Sequence, residues 1–130
     1  MAAVRKKILI LDDEKDFVLM LKARLESIGD YEVVGLTDSR DMVKCLHEFN
    51  PDVILLDIVM PVVDGLDICD ILNNDSVGAV TPIIIVSGLD RESDKLKAFK
   101  AGVVDYIVKP VDQKKLIAAI DKAVKKAPGD

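Results

Sequence analysis

"VILLDIVMP", residues 53–61, places a run of four apolar residues directly before a single carboxylate. Continuous rather than alternating hydrophobicity, rich in isoleucine and valine, is typical of a strand that is covered on both faces. Similar runs predict the other strands: "ILIL" at 8–11, "IIIV" at 83–86, "YIV" at 106–108 and, more weakly, "YEVVGLT" at 31–37. The pattern therefore predicts a parallel sheet between two layers of helices.

The segments between these runs have the periodicity of amphipathic helices. In the first two, apolar residues recur at helical spacing before a stop signal: Phe17, Leu21, Leu25 and Ile28 before Gly29, and Met42, Leu46 and Phe49 before Asn50. A third helix is predicted over 65–73, with Leu66 and Leu72 on its inner face together with either Cys69 or Ile68.

The fourth predicted helix, 91–101, is the least apolar of the set. Leu96, Ala98 and Phe99 stand there among six charged residues, so we expect this helix to be loosely held. Asp112 is the predicted N-cap of the last helix, whose apolar stripe is Leu116, Ile117, Ile120, Ala123 and Val124. Five βα units in succession predict a doubly wound α/β sheet with right-handed crossovers and helices on both faces.

Length and composition fit one globular domain. The chain has 130 residues, of which 50% are hydrophobic and 32% charged, and we expect a core over about 5–126 with 127–130 as a tail or the start of a linker. A net charge of −5 offers no basic surface for nucleic acid. Neither a membrane span nor a signal peptide is recognisable, so a cytoplasmic location is expected. Cys45 and Cys69 are expected to be free thiols.

Polar residues stand where the predicted strands end. Asp12 and Asp13 follow the first strand, Asp57 the third, Ser87 and Gly88 the fourth, and Lys109 the fifth. The carboxyl ends of parallel strands share one edge, and doubly wound sheets bind their ligands there. Each residue taken alone has a plainer explanation, such as a helix cap, a turn or a solvated strand end. Their common structural position predicts one site.

This set of residues suits the chemistry of phosphoryl groups. Three carboxylates at close range require a cation, and oxygen ligands without histidine or cysteine favour Mg²⁺. Lys109 would place a second positive charge on a phosphoryl oxygen, Ser87 could donate a hydrogen bond to another, and Gly88 would leave room. Asp57 stands alone after the most apolar run, so it is the candidate nucleophile and an acyl phosphate the predicted product.

Taken in order, "ILDDE", "DVILLDIVMPVVDG", "VSG" and "YIVKP" resemble the receiver domains of bacterial two-component response regulators, the CheY-like family. The resemblance extends from about Arg5 to Lys126. It implies a flavodoxin-like (βα)₅ fold with strand order 2-1-3-4-5. It also implies a signalling switch rather than a turnover enzyme, in which Asp57 accepts a phosphoryl group from a phosphohistidine of a histidine kinase or histidine phosphotransfer protein.

The resemblance also implies roles for the residues around Asp57. Asp13 would bind Mg²⁺ directly and Asp12 largely through water, with Asp57 and the backbone carbonyl of Val59 as further ligands, and Mn²⁺ is expected to substitute. Lys109 would pair with the phosphoryl group.

Further roles concern the switch and the loops. Ser87 would move to the phosphoryl group and Tyr106 would turn inward with it. Pro110 would follow a cis peptide bond, and Gly65 would form the tight loop after the third strand.

The output side of the switch is left open by the sequence. The resemblance implies that the surface of the fourth helix, fifth strand and fifth helix changes on phosphorylation and contacts a downstream protein or an output domain. A phosphorylation-dependent homodimer through the same helices is a further option.

Two apolar residues, Val59 and Leu89, occupy positions where the best-studied chemotaxis members can orient an attacking water. Neither side chain offers a polar group, so slow self-dephosphorylation is predicted.

Two other functions compete with the phosphoacceptor switch. A receiver-like module used only for protein contacts would not need the full set of charged residues. A Mg²⁺-dependent phosphohydrolase of the haloacid-dehalogenase type would carry a second acid where Val59 stands. A dinucleotide-binding protein is disfavoured by the absence of a G-x-G-x-x-G sequence.

Overall fold

The computed structural model describes residues 5–60 and 64–125, and the predicted tail at 127–130 lies outside them. Within these residues, five strands alternate with five α-helices. The strands are β1 (Lys6–Leu11), β2 (Tyr31–Leu36), β3 (Val53–Leu56), β4 (Ile83–Ser87) and β5 (Asp105–Val108). The helices are α1 (Lys15–Ile28), α2 (Met42–Phe49), α3 (Gly65–Asn73), α4 (Glu92–Lys100) and α5 (Gln113–Lys125).

All five strands of the described sheet are parallel, in the order β2-β1-β3-β4-β5. Leu11, the last residue of β1, lies opposite Leu56, the last residue of β3. Ser87 at the end of β4 lies opposite Val108 at the end of β5. The predicted doubly wound, flavodoxin-like α/β fold is confirmed, and the carboxyl ends of the strands meet at one edge.

Successive strand residues divide the core between the two faces of the sheet, as the pleat requires. On one face Ile8 and Ile10 pack with the buried side chains of α1 and α5. On the other face Leu9 and Leu11 pack with those of α2, α3 and α4. Helices therefore cover both faces, which explains why the strands read as unbroken apolar runs.

The inner face of α1 differs from the predicted stripe. Val18 is buried together with Leu21 and Leu25, whereas Phe17 is half-buried and Ile28 is exposed. The reason lies in β2, where a Cβ atom at Gly35 would overlap Cγ1 of Val18. The missing side chain at Gly35 lets α1 approach β2 closely and turns Val18 to the sheet.

Helix α4 has the fewest buried side chains, as expected from its composition. Ala98 is its buried residue, while Leu96 and Phe99 face solvent.

Asp112 caps α5 as predicted, since its Oδ1 accepts the backbone N–H of Lys114 at 3.0 Å. No helix in the described parts of the chain combines the length and the apolar character that crossing a membrane requires.

Both cysteines are free, Cys45 in a half-buried and Cys69 in a buried position. Burial is the main cause that raises the pKa of each thiol, to about 11 for Cys69. Because the thiolate is the reactive form, both side chains act as small apolar residues of the core.

Candidate functional site

Backbone hydrogen bonds between neighbouring strands continue past the strand ends and hold the predicted site residues in place. The N–H of Asp12 donates to the carbonyl of Leu36 at 3.1 Å, and the N–H of Asp57 donates to that of Leu11 at 3.0 Å. The N–H of Lys109 donates to the carbonyl of Ser87 at 2.8 Å. The site is therefore built on the sheet itself, whose rigidity limits the movement of these residues.

Three of the predicted residues, Asp12, Asp13 and Asp57, form an acidic cluster. One carboxylate oxygen of each lies within 4.8 Å of the other two. Asp12 is only 2% exposed and Asp57 5%, whereas Asp13 lies on the surface. Burying like charges so close together is unfavourable without a cation.

The donor set of the acidic cluster fits Mg²⁺. Oxygens bound to one octahedral Mg²⁺ at about 2.1 Å lie roughly 3 to 4 Å apart, so carboxylate oxygens within 4.8 Å of one another could hold one ion, directly or, as expected for Asp12, through water. The side chain of Asp13 faces solvent, where the remaining positions of the ion could be filled by water or phosphate. Carboxylates without nitrogen or sulfur ligands are typical of such a site.

The ammonium group of Lys109 joins the acidic cluster. Its Nζ lies 2.7 Å from Asp12 Oδ2, 3.4 Å from Asp57 Oδ2 and 3.4 Å from Glu14 Oε1. Burial raises the pKa of Asp12 above its ordinary value of 3.8, although the hydrogen bond from Lys109 acts in the opposite direction. Burial by itself would lower the pKa of Lys109, but the hydrogen bond to Asp12 and the nearby carboxylate charges outweigh it and raise the pKa. Lys109 therefore stays charged.

Each buried carboxylate has one oxygen fixed by the backbone and the other turned to Lys109. Asp12 Oδ1 accepts the N–H of Glu14 at 2.9 Å, and Asp57 Oδ1 accepts the N–H of Val59 at 3.0 Å. The backbone thus fixes the orientation of both carboxyl groups. The Val59 side chain is exposed beside the site, and a metal-binding role for its carbonyl stays a prediction.

Gly65 closes the loop after β3 next to Asp57. A Cβ atom at this position would overlap backbone atoms of Ile58 and Asp57, and the N–H of Gly65 donates to the Ile58 carbonyl at 3.1 Å. Only glycine permits so close an approach. Gly65 therefore packs against the backbone of Asp57 and Ile58 at the start of α3, and the tight loop expected before it stays a prediction because residues 61–63 lie outside the described parts of the chain.

Ser87 and Tyr106 are linked through the backbone of Leu89. The buried hydroxyl of Ser87 accepts the N–H of Leu89 at 3.2 Å, and the hydroxyl of Tyr106 donates to the carbonyl of Leu89 at 2.7 Å. Tyr106 is half-buried against the core face that α4 covers. Among the described residues, no hydrogen bond joins Ser87 to the acidic cluster, so any contact of Ser87 with a phosphoryl group stays a prediction.

The remaining predicted residues lie in the loops around the site. The peptide bond between Lys109 and Pro110 is cis, as the resemblance implies. A Cβ atom at Gly88 would meet nothing within 4 Å. The open space expected at this position is present, but it does not require the residue to be glycine.

Two residues near Lys109 were not predicted as parts of the site. The ring centroid of Phe17 lies 4.2 Å from Lys109 Nζ, and Glu14 contacts the same group. The helical periodicity had assigned Phe17 to the core, and Glu14 reads as an ordinary N-terminal helix residue. Their position in the sequence could have indicated a role in the site, because both lie in the first turn after Asp13 and that turn begins at the site edge.

Comparisons with known proteins identify the family of this chain. The family model of the response regulator receiver domain matches residues 8–121. PilH of Pseudomonas aeruginosa is 36% identical over 88% of this chain and 94% of its own length. The alkaline phosphatase synthesis transcriptional regulatory protein PhoP of Bacillus subtilis is 31% identical over 95% of this chain.

This chain spans 50% of PhoP and about half the length of several other curated relatives. Among solved structures, the chemotaxis protein CheY4 of Vibrio cholerae superposes with a TM-score of 0.85 at 25% identity, over 92% of this chain and 99% of that chain. The family-model match at residues 8–121 includes every site residue named above. The chain belongs to the response regulator receiver domain family.

Proposed function

We propose that Asp57 accepts a phosphoryl group from a phosphohistidine of a histidine kinase or histidine phosphotransfer protein, and that the resulting acyl phosphate switches the domain between two states. One observation carries the proposal. Asp57 is a carboxylate only 5% exposed, placed at the end of a core strand within reach of two further carboxylates and 3.4 Å from an ammonium group. Like charges buried so close together do not stabilise the fold by themselves, and with an ammonium group beside them they suit phosphoryl transfer.

What is general to the family supports this proposal. Receiver domains of response regulators are phosphoacceptor switches of two-component signalling and are not classical turnover enzymes. They generally bind Mg²⁺ in an acidic pocket and interact with histidine kinases or phosphotransfer proteins.

In the proposed transfer, an oxygen of Asp57 forms a bond to phosphorus while the phosphorus–nitrogen bond of the donor breaks. The electron pair of that bond stays on the imidazole nitrogen, so the donor histidine is regenerated. Lys109 would hold a phosphoryl oxygen and offset its negative charge. Asp12, Asp13, Asp57 and the carbonyl of Val59 would hold Mg²⁺, which would supply further positive charge to the phosphoryl group, and Mn²⁺ is expected to do the same.

The proposed switch uses the hydrogen bonds through Leu89. If the Ser87 hydroxyl turns to a phosphoryl oxygen, its hydrogen bond with the N–H of Leu89 breaks. The backbone of Leu89 is then free to move, and Tyr106, whose hydroxyl donates to the Leu89 carbonyl, can move with Leu89. This couples the acyl phosphate to the loop before α4. Leu96 and Phe99, which are exposed on α4, would be part of the changing surface that contacts a downstream protein, an output domain or a second copy.

Slow loss of the phosphoryl group belongs to the same proposal. Hydrolysis needs a water aligned with the phosphorus, and the apolar side chains of Val59 and Leu89 cannot orient one by hydrogen bonding. The domain would therefore keep its phosphorylated state until a partner removes the group.

Intact mass spectrometry after incubation with acetyl phosphate and Mg²⁺ tests the proposal. We expect one phosphoryl group per chain, no adduct when Mg²⁺ is chelated, and none on Asp57→Asn. Asp52→Asn, a carboxylate at the opposite edge of the sheet, is the matched control and should be modified like the wild type. Lack of an adduct from acetyl phosphate and from a phosphohistidine protein alike would leave only the role of a protein-contact module.

A further inference from the structure

We infer that Phe17 is a positioning residue for phosphoryl transfer, holding the Lys109 ammonium at the site through the face of its ring while leaving the N–H donors free for the phosphoryl group. The inference rests on the proposed function of Asp57. Its basis is the 4.2 Å distance between Lys109 Nζ and the ring centroid, well within the range of cation–π attraction.

The contacts of Lys109 show why a ring is useful here. A lysine ammonium has three N–H donors, and three carboxylates lie around this one, those of Asp12, Asp57 and Glu14. A phosphoryl oxygen can bind the ammonium only by replacing one of them. The ring of Phe17 attracts the positive charge without needing a donor, so its contribution persists through the exchange.

The carboxylate that yields first is expected to be Glu14. Its side chain is 66% exposed and 3.4 Å from Nζ, and exposed ion pairs are weak. Asp12 is buried and only 2.7 Å away, so it keeps its bond. Once Glu14 is displaced, the ring of Phe17 still opposes swinging of the flexible lysine side chain towards solvent.

The burial of Phe17 separates this role from ordinary packing. Val18, Leu21 and Leu25 supply the buried contacts of α1 with the sheet, while Phe17 lies half-buried at the margin of that core. An aliphatic side chain of similar size would fill the margin equally well. The aromatic face is the property that leucine lacks.

Phe17→Leu and Phe17→Tyr distinguish the two roles. With Mg²⁺ and acetyl phosphate, we expect Phe17→Leu to gain the phosphoryl group about fivefold more slowly than the wild type, as loss of a partly buried cation–π contact implies, and Phe17→Tyr to restore most of the rate. Phe49→Leu is the matched control, because the ring of Phe49 lies under Lys7 Nζ at 5.6 Å, remote from the site edge. It should react like the wild type.

A spectroscopic measurement on the metal-free protein tests the contact without the reaction. In ¹³C-lysine-labelled protein, the ε-methylene protons of Lys109, assigned by their absence in Lys109→Met, should be shifted upfield by the ring. The shift should vanish in Phe17→Leu and persist in Phe17→Tyr.

The outcomes separate this inference from the proposed function. If the wild type is phosphorylated and Phe17→Leu reacts at the same rate, or Phe17→Tyr is as slow as Phe17→Leu, the role of Phe17 is refuted while that of Asp57 stands. A wild type that gains no phosphoryl group from any donor would overturn both.

Discussion

Replacing Lys109 by methionine removes the positive charge of the site while keeping most of the side-chain volume. In the absence of divalent metal, we expect the free energy of unfolding at about pH 7 to fall by about 2 to 4 kcal/mol. The lower figure is that of a hydrogen bond to a charged group, here the 2.7 Å bond to Asp12. The upper figure approaches the cost of leaving one partner of a buried ion pair uncompensated.

The part of this loss that comes from the Asp12 charge cannot exceed the free energy needed to protonate its carboxyl group. The ordinary pKa of 3.8 lies about 3.2 units below pH 7, so protonating the carboxyl group costs about 4.4 kcal/mol there, at about 1.36 kcal/mol per unit. Without Lys109, burial holds the pKa of Asp12 above 3.8, so the folded state binds more protons than the unfolded state and stability falls as pH rises. At about pH 4.5 the ceiling is only about 1 kcal/mol.

Urea unfolding followed by far-ultraviolet circular dichroism measures the effect, since the chain lacks tryptophan. The double variant Asp12→Asn/Lys109→Met should recover most of the lost stability, because both charges of the pair are gone. Lys44→Met is the matched control, as Lys44 forms an exposed pair with Glu48 at 4.0 Å and should change stability by less than about 0.5 kcal/mol. A loss for Lys109→Met that is equal at both pH values, or absent, would refute the reasoning.

Three other perturbations follow from the structure. Gly65→Ala should lower the free energy of unfolding by about 2 to 3 kcal/mol because its Cβ overlaps backbone, whereas Gly88→Ala, which meets open space, should leave it nearly unchanged in urea titrations. Burial, and then the hydrogen bond to Asp121, raise the pKa of Tyr31 from 10.0 to about 12. The free energy of unfolding of the wild type should therefore fall as pH rises between these two values. In alkaline unfolding curves Tyr31→Phe should lack this part of the pH dependence. Val59→Asn, which can orient a water, should shorten the lifetime of the phosphorylated form at least severalfold when the adduct is followed by mass spectrometry, and an unchanged lifetime would contradict the role of Val59.

The strand order and the site edge could be predicted because both depend on features visible along the chain. Unbroken apolar runs such as 53–56 identify doubly covered strands, and parallel pairing then brings their carboxyl ends together. Asp12, Asp57 and Lys109 each follow such a run directly, so the register of the sheet alone determines that they meet.

Contacts that depend on the exact angle of a helix could not be predicted in this way. The close approach of α1 to β2 at Gly35 turns Val18 inward and leaves Phe17 over Lys109, and helical periodicity cannot distinguish these neighbours. The hydrogen bond from Tyr31 to Asp121 joins residues 90 positions apart and depends on how α5 lies against the sheet. Such pairs follow from packing rather than from local pattern.

The central claim is that Asp57 is the residue that carries the phosphoryl group. Borohydride reduces an aspartyl phosphate to homoserine, so peptide mapping of the reduced, phosphorylated protein identifies the modified position. We predict homoserine at position 57, in proportion to the phosphoryl content, and aspartate at positions 12 and 13. Homoserine at either of those positions, or unmodified Asp57 in a protein that carries the phosphoryl group, would contradict the account.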